Sequence, residues 1–553
     1  MTLADSVLRG SLSGNRSILL VLLATAAVLA PMLAIGFLSD DIAMISFAFT
    51  DGHPDPTRLL RPEGLAGVYY RPLVDLSLAF DFIVWGWNPF GFRLTALLLH
   101  LGVTALLALL IRRLYRDPFI TICGAALFGV MPIHEMSLFW IAGRTDVLCA
   151  LFYMASLWLL ARYVQDGSRA MHLLSLAAFA CALLSKEMAF SLPLMVPLVI
   201  LQARRIHNER ASARFIIITS LPYALLPIAL IAIRRLVLGN DLLGSDHGLH
   251  ADSAPAQIIR NLALYAGLLL IPAGHHTIEG IISIYRPLLF PGIMVLALLA
   301  GALLWKFRGR LYLPVFPLLW IIITILPVSR LMMRWYLYIP SIGFCMALGW
   351  LVARIRRRGP RHGTAAAIWM LYAGILLPQI FQWMYAGRLA QRYLAGLPAL
   401  VQRTDNDTLT FAAVPSKIGT APIFNLGFQE TVRHYLRRRD LHVRVLSKVI
   451  IECQPMHVDN EPAANPAIIT LRIDSNGYFF LDNSALKTRS TVVETGMWLR
   501  TDDGEAGILS VNQWNRPDRI RLLLPATPGR VITFNGSGFV PAGGPGDYLS
   551  SDN

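Results

Sequence analysis

Apolar runs long enough to cross a bilayer recur along this chain, and they restrict it more than any other feature. About twenty such residues span the hydrocarbon of a membrane as one helix. Inside lipid every backbone amide needs a partner within its own segment, so each run has to be helical. Of 553 residues, 55% are hydrophobic and 15% charged, with mean hydropathy +0.54. A soluble domain of that length has no use for such a balance. The first run, 18–37, is followed by no small-residue cleavage site and reads as a retained span.

Spans are predicted near 17–37, 93–111, 118–133, 146–163, 172–186, 188–203, 215–233, 287–305, 311–328, 335–353 and 364–384, about eleven in all. The expected fold is therefore an α-helical polytopic membrane protein. The apolar stretch 257–273, ending at Pro272, is read as re-entrant or interfacial. Counting it as a crossing would put Lys306, Arg308 and Arg310 on the wrong side. Up to residue 383 there are 31 Lys and Arg against 18 Asp and Glu; beyond it the numbers are 18 and 16. The basic excess thus sits in short loops between spans, where it sets topology and meets lipid headgroups rather than nucleic acid. Placing Arg9, Arg112, Arg162, Arg204 and Arg354 with their basic neighbours in the cytoplasm puts residues 1–16 inside and the C-terminal part outside, most simply in a bacterial inner membrane. Cys123, Cys149, Cys181, Cys345 and Cys453 show no disulfide or paired-cysteine metal pattern.

The expected division is a membrane domain over 17–385 with an outer loop at 38–92, a linker at 386–405, a small extracytoplasmic domain over 406–540 and a disordered tail at 541–553. Short β-prone runs at 408–414, 467–473, 477–481, 520–524 and 530–534, with one helix near 424–438, make that domain mainly β or α+β.

The outer loops carry the ionisable residues. Asp40 and Asp41 follow the first span, where two carboxylates are costly unless something uses them. The same face receives Tyr70 and Arg71, His134 and Glu135, Arg144 and Asp146, Lys186 and Glu187, and Arg330, Arg334 and Tyr338. One shared polar cavity accounts for this one-sidedness. A transferase with a polyprenyl-phosphate sugar donor needs a carboxylate to take the acceptor's proton and cations to hold the departing phosphate. Asp40 or Asp41 suits the first role; Arg330, Arg334 and Lys186 suit the second. Simpler accounts stand beside these: a helix end for the acidic pair, interface anchoring for Arg330 and Arg334, mutual neutralisation for Lys186 and Glu187. No cofactor is required, and a divalent cation on His134, Glu135, Asp146 and Asp40 is the alternative.

The stretches Leu38-Ser-Asp-Asp41, Tyr70-Arg-Pro-Leu73, Phe92-Arg-Leu with Leu98-Leu-His100, Pro132-Ile-His-Glu135 through Gly143-Arg-Thr-Asp146, Ser185-Lys-Glu187 and Arg334-Trp-Tyr-Leu-Tyr-Ile-Pro-Ser-Ile-Gly343 come in an order that resembles the GT-C glycosyltransferases. The resemblance is to their protein O-mannosyltransferase-like branch and covers about residues 17–353. It implies an inverting hexosyl- or mannosyltransferase with Asp40 as base, and a donor and acceptor cavity lined by Arg71, Arg144, Asp146, Lys186 and Arg334. A tetratricopeptide tail is absent and the acidic pair is Asp-Asp rather than Asp-Glu. The acceptor, whether protein, lipid or polysaccharide, therefore stays open. A transporter or flippase for lipid-linked glycans predicts related halves and mid-membrane charge, neither of which the sequence shows. A non-catalytic scaffold is the third reading.

Overall fold

The computed structural model describes residues 3–47, 49–50, 53–54, 70–238, 255–271 and 312–401. In the C-terminal part it describes 408–451, 458–461, 468–473, 477–480, 498–501, 504–511, 517–523, 530–534 and 539–541. The expected span at 287–305, Cys453 and the tail from 542 lie outside these residues.

Two compact units divide the chain, and they do not follow the sequence order: Met1–Leu33 with Phe47–Ile380, and Ala34–Ser46 with Phe381–Asn553. The first unit is helical. It comprises α1 (Leu3–Leu29), followed after the excursion into the second unit by α3 (Pro72–Trp85), α4 (Pro89–Tyr115), α5 (Pro118–Gly129), α6 (Glu135–Phe139), α7 (Arg144–Asp166) and α8 (Arg169–Leu183). Then come α9 (Leu192–Arg205), α10 (Ala213–Leu238), α11 (Pro255–Leu270), α12 (Tyr312–Ile325) and α13 (Pro340–Val352). The last helix, α14 (Arg358–Val401), passes from the first unit into the second, and α2 (Asp41–Phe47) lies almost wholly in the second. Among the described residues six helices are long and apolar enough to cross a membrane, or seven if the bent pair Pro118–Gly129 and Pro132–Phe139 is one span. The chain is an integral membrane protein. Shorter apolar helices occupy Arg169–Leu183, Ile258–Leu270, Val315–Val328 and Pro340–Val352.

Prolines and polar caps punctuate these helices. Pro89 and Pro118 stand at first-turn positions, where a missing N–H costs nothing. The side chains of Asn88 and Asp117 accept amide protons of the first turns behind them. Where α5 crosses α13, a Cβ on Gly349 would lie 3.1 Å from the Gly124 amide nitrogen. Two glycines let the backbones approach as they do in many membrane helix pairs.

The basic loops gather at one end of this unit. Arg113 pairs with Asp166 at 3.3 Å, the Arg116 guanidinium reaches the His207 ring at 3.1 Å, and Arg361 lies over the Phe119 ring at 4.5 Å. Helices α4 and α7 run about 35–40 Å, at 1.5 Å per residue. They carry Arg93 and Arg144 near their other ends, so the two charged regions are separated by a bilayer's thickness.

The second unit contains three sheets among its described residues, in strand orders β15-β14-β3-β6, β10-β7-β4-β5 and β11-β12-β13-β9-β8. The strands are β3 (Thr408–Phe411), β4 (Val414–Ile418), β5 (Ala421–Pro422), β6 (His442–Val445), β7 (Lys448–Ile451), β8 (Val458–Glu461), β9 (Ile468–Ile473) and β10 (Gly477–Phe480). They continue with β11 (Trp498–Thr501), β12 (Gly504–Val511), β13 (Pro517–Leu523), β14 (Arg530–Phe534) and β15 (Phe539–Pro541); a two-strand ribbon, β1 (Phe49–Thr50) with β2 (His53–Pro54), belongs to the first unit. Parallel pairing joins β3 to β6 and to β14, and β4 to β7. The crossover between the parallel strands β3 and β6 carries α15 (Phe428–Leu436), whose Phe428 packs on Phe411 and Phe424 at 4.8 and 4.9 Å. The stretch expected as a linker from 386 is helical as far as Val401.

Candidate active site

Four cations and four carboxylates meet in pairs at the end of the first unit opposite the basic loops. Arg71, at the head of α3, donates to Glu187 at 2.7 Å. Arg144, the first residue of α7, lies 2.5 Å from Asp81 of α3 and donates to the Phe92 carbonyl at 3.1 Å and the Ser77 carbonyl at 3.3 Å. Lys186 donates to Asp146 at 2.7 Å and sits over the Tyr336 ring at 4.9 Å. Arg334 pairs with Glu135. All but the Arg71 pair are almost wholly buried. Charges removed from water in this way are tolerated only in pairs.

The pairs differ in what they leave available. Arg144 and Asp81, each 1% exposed, brace α3 against α4 and α7, and Thr95 supplies Asp81 with a further bond at 2.8 Å. Arg144 is expected from the sequence to line a cavity, whereas Asp81 stands there as one of three polar residues, with Asp75 and Ser77, on an apolar helix. Arg334 is 5% exposed, and its Nε and Nη2 have no hydrogen-bond partner among the described residues. Lys186 carries three donors, of which Asp146 takes one. These are the donors a buried oxyanion would find. Arg330 is exposed, and Tyr70 is partly buried. Burial pushes the Asp75 carboxyl of α3 up to about 6, against the pull of Arg71.

The Arg334 turn is held from several sides. Tyr265 and Asn261 of α11 donate to the carbonyls of Leu331 at 2.5 Å and Ser329 at 3.0 Å. The Trp320 indole donates to the Ile339 carbonyl at 2.9 Å. Tyr338 meets His100 of α4 at 2.6 Å, and His134 meets Ser341 at 2.8 Å. The apolar stretch expected to be re-entrant or interfacial thus tethers the loop before Arg334. His100 anchors Tyr338, four places beyond Arg334. Among the described residues no group of three or more His, Cys, Asp or Glu could hold a metal ion.

The acidic pair belongs to the second unit, with Asp40 6% exposed and Asp41 fully buried. The Leu38 amide donates to the Asp41 carboxylate at 2.9 Å, and the Asp41 amide returns a bond to the Leu38 carbonyl at 3.0 Å. That reciprocal turn starts α2 and gives Asp41 a capping role. Ser39, at φ 52°, donates its amide to the Ile423 carbonyl at 2.7 Å, and its hydroxyl accepts from the Leu426 amide at 3.1 Å. The loop 423–427 therefore grips the backbone that carries Asp40. Gly427 stands at φ +64°, and a Cβ there would come 2.7 Å from the Asp40 Cα. Gly427→Ala is expected to cost about 1–2 kcal/mol from the left-handed backbone alone, and to displace Asp40 as well. Thermal unfolding in nanodiscs reads the first effect and turnover the second; unchanged turnover in a folded variant would show that the grip does not position Asp40.

Residues 71–234 match the family model described as dolichyl-phosphate-mannose-protein mannosyltransferase. A protein O-mannosyl-transferase TMTC2 of Mus musculus is 36% identical over 88 residues, covering 16% of this chain and 10% of its own. The Homo sapiens TMTC4 protein O-mannosyl-transferase is 31% identical over 139 residues, 21% of this chain and 19% of the relative. The matched stretches thus span a fifth or less of those relatives. Among solved structures, ArnT from Cupriavidus metallidurans bound to undecaprenyl phosphate aligns over 78% of this chain and 93% of its own at 12% identity, with a TM-score of 0.43. An Archaeoglobus fulgidus oligosaccharyltransferase aligns over 77% and 63% at 11% identity, with a TM-score of 0.40. The family match takes in the motifs at 71–73, 92–100, 132–146 and 185–187, and through it and these relatives the chain is similar to protein O-mannosyltransferases.

Proposed function

We propose that the chain is an inverting glycosyltransferase that moves a sugar from a polyprenyl-phosphate donor to an acceptor hydroxyl at the extracytoplasmic face of a bacterial inner membrane. About eleven spans, with the N-terminus inside, give that orientation. The acceptor oxygen attacks the anomeric carbon, the bond from that carbon to the phosphate oxygen breaks, and Asp40 takes the hydroxyl proton. The polyprenyl phosphate leaves with the bonding electrons, so no proton donor is needed on its side. Arg334 and Lys186 hold that phosphate, Arg334 as a fork and Lys186 as a point charge. With these cations in place the reaction is read as needing no resident cofactor.

The observation that carries this reading is the buried Arg334 guanidinium, paired with Glu135 while its Nε and Nη2 bond to nothing described. Unmet donors cost free energy in a folded protein, and a phosphate oxygen satisfies them. The relatives named for protein O-mannosyl transfer support a hexose donor and a protein acceptor; lipid and polysaccharide are the other acceptor classes.

The test is turnover by purified protein in nanodiscs with a panel of radiolabelled polyprenyl-phosphate sugars and cell-envelope extract as acceptor. Transfer of label from one donor supports the reading and names the sugar. Donor binding with no turnover under any acceptor would favour a carrier or scaffold for lipid-linked glycans.

A further inference from the structure

Helices α1, α5 and α14 leave between them a groove of about 830 Å³ within the first unit, far from the paired charges of the candidate site. Leu20 and Ala24 of α1, Leu127 of α5, and Ala366 and Met370 of α14 give it apolar walls. Its polar lining is confined to one end, at Ser17, Asp117, Arg361 and His362. On α14 the lining runs from Arg361 to Met370, a depth of about 13 Å at 1.5 Å per residue. One leaflet of hydrocarbon is about 15 Å thick, half of the whole core. The groove is therefore as deep as one leaflet and lies along the direction of an acyl chain.

Its mouth is cationic. Arg356, Arg357 and Arg358 are exposed on the turn that opens α14, Arg361 lies on the Phe119 ring at 4.5 Å, and Arg112 reaches Asn15 at 2.8 Å, two residues before Ser17. Among the described residues that line the groove the one carboxylate is Asp117, which accepts the amides of Phe119 at 2.8 Å and Ile120 at 3.1 Å. Its charge is thus turned into the start of α5 and offset by the positive end of that helix.

We infer that this groove is a binding site for an anionic glycerophospholipid of the leaflet beside the basic loops, with one acyl chain between α1, α5 and α14 and the phosphodiester headgroup on the arginines around Arg361. The walls select a chain by shape and the mouth selects a headgroup by charge. A polyprenyl chain is several times longer than the groove, which argues against the carrier lipid as occupant. The inference does not depend on the proposed transferase activity.

Native mass spectrometry of the full chain from mixed micelles of phosphatidylglycerol and phosphatidylcholine tests it. Wild type should retain one phosphatidylglycerol, preferred over phosphatidylcholine by about fivefold or more. Ala366→Trp, which fills the groove, should lose that lipid. The triple change Arg357→Ala, Arg358→Ala and Arg361→Ala should keep one lipid and abolish the preference. Equal retention of the two lipids by wild type, undiminished phosphatidylglycerol on Ala366→Trp, or its displacement by equimolar undecaprenyl phosphate would overturn the site. Should Ala366→Trp fail to fold, the arginine variant still decides, because it changes the mouth and leaves the wall residues Leu20, Ala24, Leu127, Ala366 and Met370 in place.

Discussion

Asp40→Asn should lower sugar transfer by about 10²–10⁴-fold, the usual contribution of a positioned general base. The amide keeps the shape of the carboxyl group and cannot take the acceptor's proton. The hydrogen bonds around Ser39 are made by Ser39, Ile423 and Leu426 and survive the change. Turnover should therefore fall while the contacts that hold this loop remain. Asp41→Asn should behave differently, because the Asp41 carboxylate accepts the Leu38 amide and starts α2. Its loss should appear first in stability. Turnover retained in a folded Asp40→Asn protein would end the assignment of Asp40 as base.

Arg334→Ala carries the second large effect. Removing one partner of a buried ion pair commonly costs about 3–5 kcal/mol, because the other charge is left alone. Here Glu135 is that partner, fully buried. The double change Arg334→Ala with Glu135→Ala should recover much of the lost stability and none of the activity. Loss of a preorganised oxyanion donor costs about 10²–10³-fold in turnover, and the double variant isolates that loss from misfolding. Arg334→Lys should restore charge without the fork and recover activity only in part. A stable double variant with wild-type turnover would refute the phosphate role and leave Arg334 as a structural pair to Glu135.

Much of the first unit was legible because lipid imposes one rule, that each crossing satisfies its own backbone. Runs at 93–111 and 146–163 lie inside α4 and α7, and the basic loops meet at one end as the charge bias requires. In the second unit the β-prone runs at 408–414, 467–473 and 530–534 contain β3, β9 and β14. Parallel pairing of β3 with β6 and of β4 with β7 was not legible, since β-prone composition reports a strand and never its neighbour.

The candidate site was legible as a set of residue types and not as a set of roles. Arg144 and Arg334 look alike in sequence, each an arginine beside a hydrophobic helix. Only the fold gives Arg144 the partners Asp81, Ser77 and Phe92, while Nε and Nη2 of Arg334 meet no hydrogen-bond partner among the described residues. Arg330, four residues earlier, is exposed.

The sequence by itself determined that this chain is a membrane protein, where its charges cluster, and which family its ordered motifs resemble. Those properties follow from local composition, which hydrocarbon and headgroups read segment by segment. Tertiary structure alone decided which carboxylate each cation meets, that α11 holds the Arg334 turn, and that residues 423–427 grip the backbone of Asp40. Such partners lie from tens to hundreds of residues apart, and burial and donor geometry between them exist only once the helices and sheets have packed.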